Sequence, residues 1–294
     1  MNTIFGRYQG LLFIWVSLHV GIKTLIDKPK IILLIIAAFG ITAFGQKRTI
    51  EIRNDFKKYY DQFKVEGSFV LYDPQTNKCV FYNPDQYEQT FTPASTFKIC
   101  NSLIGLETGV IKDENFIISW DSVNRQNPKW NIDQDLKTAF KNSTVWYYQE
   151  LARRVGKHKM KSWLKKVKYG NKCTSGGIDK FWLTGGLRIS PKQQIDFLQR
   201  LHDNQLPFSQ RSVDIVKNIM IVKDTLDYVV RAKSGWGGQD NKDIGWYVGY
   251  LETKDQVYYF ANCIQSADLN NEGFATARID IVYQILKELK LIDE

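Results

Sequence analysis

The spacing of hydrophobic positions changes three times along the chain. Residues 1–45 hold two apolar stretches, 10–22 and 31–39, with no amphipathic period. Next, Phe69-Val70-Leu71-Tyr72 and Val80-Phe81-Tyr82 flank Asp73-Pro74-Gln75-Thr76-Asn77, and two β-prone runs about a Pro/Asn turn predict a hairpin. From Thr92 to about Arg200 the spacing turns helical. Phe97, Cys100, Leu103 and Ile104 recur on one side of a helix predicted over 95–108, with Pro93 ahead of it and Gly109 at the cap position. Helices are also predicted over 145–155 and 160–168, and a fourth opens at Pro191 with Ile195, Phe197, Leu198 and Leu201 on one side. Strand-like runs return at 228–233, 244–251 and 257–264, separated by turn chemistry at 236–241 and 252–255, before an amphipathic helix over 274–289. This order predicts an α+β fold: an antiparallel sheet completed by both ends of the chain, flanked by helices, with an all-helical region inserted between.

Composition narrows the class. An apolar fraction of 44% in 294 residues, 14% of them aromatic, fills a substantial core and excludes a disordered chain. The net charge is +9, of which +3 falls within residues 1–45, leaving +6. The remaining cations are scattered among acids except in the run from Arg153 to Lys168, which reads as a solvated helix face. No nucleic-acid partner is therefore expected. Lys23, Lys28 and Lys30 precede the second apolar stretch, and Ala43-Phe44-Gly45 supplies small residues for cleavage before Gln46. Residues 1–45 are thus expected to be a signal peptide or an N-terminal membrane segment, and 46–294 a catalytic domain, exported to the periplasm or secreted. Membrane contact is expected only through that segment, if it is retained. Cys79, Cys100, Cys173 and Cys263 lie far apart with no Cys-x-x-Cys pair, so unpaired thiols are expected and no metal.

Three short patterns carry chemistry. In Ser95-Thr96-Phe97-Lys98 the hydroxyl and amine share a helix face, the N-terminal dipole favours negative charge, and burial among Phe97, Ile99 and Cys100 lowers the amine's pKa. Ser143-Thr144-Val145 offers a second hydroxyl at a helix start, and Lys233-Ser234-Gly235 a cation and hydroxyl at a strand edge, where Gly235 would let a substrate approach the backbone. Alone, each of the first two reads more readily as a helix cap, and the third is a weak signal. A Ser-His-Asp triad is disfavoured, because the three histidines are His19 in the N-terminal segment and His158 and His202 on helices expected to be exposed.

Taken together and in this order, the three patterns resemble those of the penicillin-recognising serine acyltransferases. Ser143-x-Val145, Tyr169-Gly170-Asn171, the run from Phe181-Trp182-Leu183 to Ile189-Ser190, and Gly245-Trp246-Tyr247-Val248-Gly249-Tyr250 are similar to the class D (oxacillinase-type) β-lactamases over nearly all of residues 65–290. The resemblance implies the β-lactamase/transpeptidase fold and hydrolysis of β-lactam antibiotics, conferring resistance, through an acyl-enzyme on Ser95. Lys98 would be carbamylated by carbon dioxide (an N6-carboxylysine) and act as general base, with no other cofactor. Trp182 would hold the carbamate by its indole N–H, with Val145 and Leu183 as the apolar wall beside it. The backbone N–H groups of Ser95 and Trp236 would form the oxyanion hole, Ser143 with Lys233 would return a proton to the lactam nitrogen, and Ser234 with Arg278 would hold the substrate carboxylate. Lys-Ser-Gly stands where Lys-Thr-Gly is commoner, and the second glycine of Thr184-Gly185-Gly186 implies a looser loop near the carbamate. A sensor that is acylated without turnover is the alternative. Antibiotic-sensing receptors share the Ser-x-x-Lys helix, but no His-Glu-x-x-His motif accompanies it here. A penicillin-binding peptidase fits Trp182 and Tyr-Gly-Asn less well.

Overall fold

The protein is described by a computed structural model over residues 48–293; the export segment expected at 1–45 lies outside the described residues. Strands β1 (Thr49–Ile52), β2 (Glu66–Asp73), β3 (Lys78–Tyr82), β4 (Ile221–Asp224), β5 (Tyr228–Gln239), β6 (Lys242–Thr253) and β7 (Val257–Ser266) make one sheet in the order β1-β3-β2-β7-β6-β5-β4. All neighbours are antiparallel except β1 and β3. The N-terminal hairpin β2–β3 therefore docks on the C-terminal meander through β7, as the sequence pattern predicts.

Among the described residues eight α-helices accompany the sheet: α1 (Lys57–Gln62), α2 (Lys98–Glu107), α3 (Leu136–Lys141), α4 (Val145–Val155), α5 (Lys157–Val167), α6 (Pro191–His202), α7 (Gln210–Ile219) and α8 (Phe274–Glu288). Both sheet faces are buried. Phe69 and Leu71 enter a cluster with Tyr60 of α1 and Ile281 and Ile285 of α8, whereas Val70 and Tyr72 enter the cluster under the inserted helices. That is why β2 reads as an unbroken apolar run and not as an alternation.

Local signals set most boundaries. Ser190 and Gln193 form a reciprocal capping box with Pro191 at the first turn of α6, a start worth roughly 1 kcal/mol. Gly109, at φ +70°, follows α2, and Lys168, at φ +55°, ends α5 in the left-handed region. Two expectations shift. The helix expected over 95–108 begins as a 3-10 turn, Ala94–Phe97, and becomes α-helical only at Lys98. β5 runs through the glycines at 237 and 238, and the hairpin turns on Asp240 and Asn241, both with positive φ. The short elements β1, β4 and α3 carry too few residues to show a period, while α7 buries Val213, Val216 and Ile219 behind a Ser209 cap.

Candidate active site

The 3-10 turn that carries Ser95 is held from three sides. Ala94 sits at φ +47°, a region alanine rarely occupies, and its N–H donates to the Trp182 carbonyl at 3.0 Å. The Thr92 carbonyl accepts the Trp246 indole N–H at 2.9 Å, and the Thr92 N–H donates to Gln239 Oε1 at 2.8 Å. Thr96 Oγ1 donates to the Pro93 carbonyl and accepts from Gln194 Nε2 at 2.9 Å. So fixed, Ser95 is only 8% exposed, and Lys98 Nζ donates to its Oγ at 2.6 Å. Lys98 is fully buried, its Nζ 5.3 Å from the centre of the Tyr148 ring. Burial, and then the positive charge of Lys233, holds its pKa well below the ordinary lysine value. A neutral amine in hydrogen-bond reach of a serine is both a base for it and a nucleophile in its own right.

A second serine–lysine pair faces this one. Ser143 adopts φ +54° in the bend between α3 and α4, where Thr144 Oγ1 donates to buried Gln134 Oε1 at 2.6 Å. Thr144, not Ser143, occupies the cap position of α4, which leaves the Ser143 hydroxyl to accept from Lys233 Nζ at 3.1 Å. Lys233 also donates to the Ser234 carbonyl at 3.0 Å. Burial, and then the nearby Arg278, lowers its pKa to about 7.

β5 brings the remaining residues to a free strand edge. Ala232 N–H donates to the Met220 carbonyl on the outer side of β5. The strand period of two turns the Ser234 and Trp236 N–H groups the same way, beyond the last β4 pairing at Arg231. A Cβ at Gly235 would lie 3.1 Å from the Pro93 carbonyl and 3.3 Å from the Thr96 N, and one at Gly237 3.1 Å from Ala94 Cβ. The glycine of Lys-Ser-Gly thus admits the protein's own serine turn, a nearer reason for it than substrate approach. Arg278, on α8, lies with its Cζ 5.5 Å from the Trp236 ring centre. Its Nε and Nη1 are buried without a hydrogen-bond partner, and burial lowers its pKa. Two unanswered donors on a guanidinium suit a carboxylate. Trp236 itself is 45% exposed, its indole donating to Asp243 Oδ1.

Trp182 is buried against Phe97 and Phe181, at ring-centre distances of 5.4 and 4.9 Å. Leu183 and Val145, the first residue of α4, are half-buried. The Tyr-Gly-Asn motif braces this wall: a Cβ on Gly170 would overlap the Arg188 carbonyl, while Asn171 Nδ2 donates to the Gly186 carbonyl and its Oδ1 accepts the N–H of Arg188 and Cys173. Here one expectation is reversed. A Cβ on Gly186 would overlap Ser175 Oγ and lie 2.7 Å from Cys173 Sγ, so the second glycine marks tight packing and not a loose loop.

All four cysteines are free, three buried and Cys173 half-exposed. His202 departs from its expected exposure: it is half-buried, with Nδ1 2.8 Å from Asp203 and its ring edge-on to Tyr250. Among the described residues no cluster of His, Cys, Asp or Glu is arranged to hold a metal ion. The sequence pattern missed Thr92, Ala94, Gln134 and Tyr148; their work is done by backbone groups and buried contacts, which leave no spacing signal.

Comparison with known proteins agrees with this geometry. The family of the penicillin binding protein transpeptidase domain matches residues 67–287. β-Lactamase OXA-48 of Klebsiella pneumoniae is 41% identical over 234 residues, 80% of this chain and 87% of that protein. The crystal structure of a class D β-lactamase, YbXI, from Nostoc is 47% identical, with a TM-score of 0.77 over 81% of this chain and 99% of that one. The C-terminal domain of the BlaR penicillin-receptor of Bacillus licheniformis also superposes, at 31% identity and a TM-score of 0.78, over 85% of this chain and 100% of that one.

Proposed function

The chain belongs to the class D β-lactamases, serine hydrolases with the transpeptidase fold, and from that premise we propose that it hydrolyses β-lactam antibiotics with carbamylated Lys98 as general base. The observation that carries the reading is the fully buried Lys98 amine, its pKa well below the ordinary lysine value, 2.6 Å from Ser95 Oγ. Only an unprotonated amine adds to carbon dioxide, and burial together with a neighbouring positive charge moves a lysine towards that form. At this position carbon dioxide supplies a carboxylate able to take a proton from Ser95 during acylation and from water during deacylation.

The rest of the proposal concerns the chain's own groups. Ser95 Oγ attacks the lactam carbonyl, whose oxygen is received by the backbone N–H groups of Ser95 and Trp236. Lys233 donates to Ser143, so the Ser143 hydroxyl can pass its proton to the lactam nitrogen and be resupplied. Arg278 and Ser234 bind the substrate carboxylate. Trp182, Leu183 and Val145 limit water at Lys98. Export through residues 1–45 and a role in antibiotic resistance belong to the same proposal.

A second reading has one observation in its favour, the likeness to a penicillin-receptor domain. Turnover of a chromogenic cephalosporin by residues 46–294, in carbon-dioxide-depleted buffer and after bicarbonate is restored, separates the two. Sustained turnover that falls on depletion and recovers with bicarbonate supports the hydrolase. A stoichiometric burst with no further turnover supports the sensor.

A further inference from the structure

A cleft of about 680 Å³ opens where β4 leaves the edge of β5, immediately beside Lys233 and Ser234. Its floor is apolar: Phe140 of α3, Ile219 of α7, and Ile279 and Tyr283 of α8. Its outer lip is β4, where Ile221 and Val222 are 38% and 51% exposed, unusual for aliphatic residues on a short edge strand. Lys137 and Lys141, both exposed, stand on the α3 side, and among the described residues no acidic residue lines it. Among the described residues neither lysine has an ion-pair partner. An apolar trough with unpaired cations at its margin is complementary to an apolar group that ends in an anion.

Its position along the strand says what brings such a group there. Gly235 and Gly237 pack against the Ser95 turn, so a bound lactam carbonyl lies near Trp236. Arg278 and Ser234 fix the carboxylate one strand period back, roughly 6.6 Å along β5. In a cephalosporin the carbon beside the carboxylate-bearing carbon carries a further substituent. Continuing the same direction from Ser234 towards Ala232 leads that substituent into the cleft, which both residues line.

We infer that this cleft is a subsite for the substituent next to the carboxylate, selecting apolar or aromatic groups that carry a terminal anion. The inference rests on the β-lactamase reading above and adds the chemical class of substrate that reading leaves open. No step of the reaction changes; the cleft contributes binding energy at a distance from the reacting atoms.

The test uses three cephalosporins with one common acylamino side chain and, at that ring carbon, a methyl, a styryl or a 4-carboxystyryl group. The protein should show higher kcat/KM for the carboxystyryl compound than for the methyl one. Val222→Trp, at an exposed edge position outside the proposed machinery, narrows the cleft and should lower the carboxystyryl-to-methyl ratio by about tenfold while leaving the methyl compound unchanged. Lys141→Glu should lower kcat/KM for the carboxystyryl compound and spare the styryl one. A ratio unmoved by either variant, or an equal loss on every compound, overturns the subsite. Failure of the unmodified protein to turn over even the methyl compound removes the β-lactamase reading and the subsite with it, whereas normal methyl turnover with an unmoved ratio removes the subsite alone.

Discussion

Lys98 and Lys233 are both buried, both depressed in pKa by burial, and both donate to a serine hydroxyl, yet their surroundings set them to different tasks. Lys98 is fully buried at the start of α2, its amine beside the Tyr148 ring and Ser95 Oγ. Lys233 stands at an open strand edge, with Ser143, the Ser234 carbonyl and a cleft about it. The closed site lowers the amine's pKa and takes it out of bulk water, which suits addition of carbon dioxide. The open site leaves an amine that titrates at about 7, next to a hydroxyl and an anion-seeking arginine, which suits proton return and carboxylate binding. Burial alone does not assign a lysine's chemistry; the neighbours that remain do.

Removing the closed side should have the largest effect. Lys98→Ala should lower kcat by about 10³-fold or more, abolish the response to bicarbonate, and leave an acyl-enzyme that intact-protein mass spectrometry detects. A variant that kept its bicarbonate response would place the carbamate elsewhere. Ser143→Ala, on the open side, should cost about 10²-fold in kcat/KM while the bicarbonate response persists, because the Lys98 pocket is untouched.

The two sides should also separate by pH. The proton on Lys233 is lost as pH rises through about 7, so kcat/KM, which reports the free enzyme, should fall on that alkaline limb. A limb that stayed at the ordinary lysine value of 10.5 would mean that Lys233 is not the titrating donor. The smallest effect is expected from Gly186→Ala. Its Cβ would press on Ser175 and Cys173, destabilising the fold by roughly 1–3 kcal/mol, measurable as a lowered Tm. With the braced loop loosened, more bicarbonate should be needed for half-maximal activity, while the pH limb from Lys233 stays in place.

The same contrast governs what could be read from the sequence. The meander, the hairpin, α4 and α6 were legible, because apolar runs, a helix-opening proline and turn residues are local signals. The pairing of Ser95 with Lys98 was legible too, although through a 3-10 turn and not the helix face that spacing suggested. The open side was legible only as motifs. That Ser143 meets Lys233 across 90 residues depends on a left-handed bend, on Thr144 anchored to Gln134, and on where β5 runs relative to α3. Thr92, which ties the serine turn to Trp246 and Gln239, acts through its backbone and leaves no mark in composition. Gly186 shows the converse: a glycine readable as flexibility was placed by steric need.

The central claim is that Lys98 is a neutral, screened amine that binds carbon dioxide. Carbon-13 NMR of the protein equilibrated with labelled bicarbonate addresses it directly. The account predicts a carbamate resonance of about one equivalent that is absent from Lys98→Ala and retained in Ser143→Ala. A spectrum with no carbamate resonance, in a protein that still sustains turnover, would contradict it.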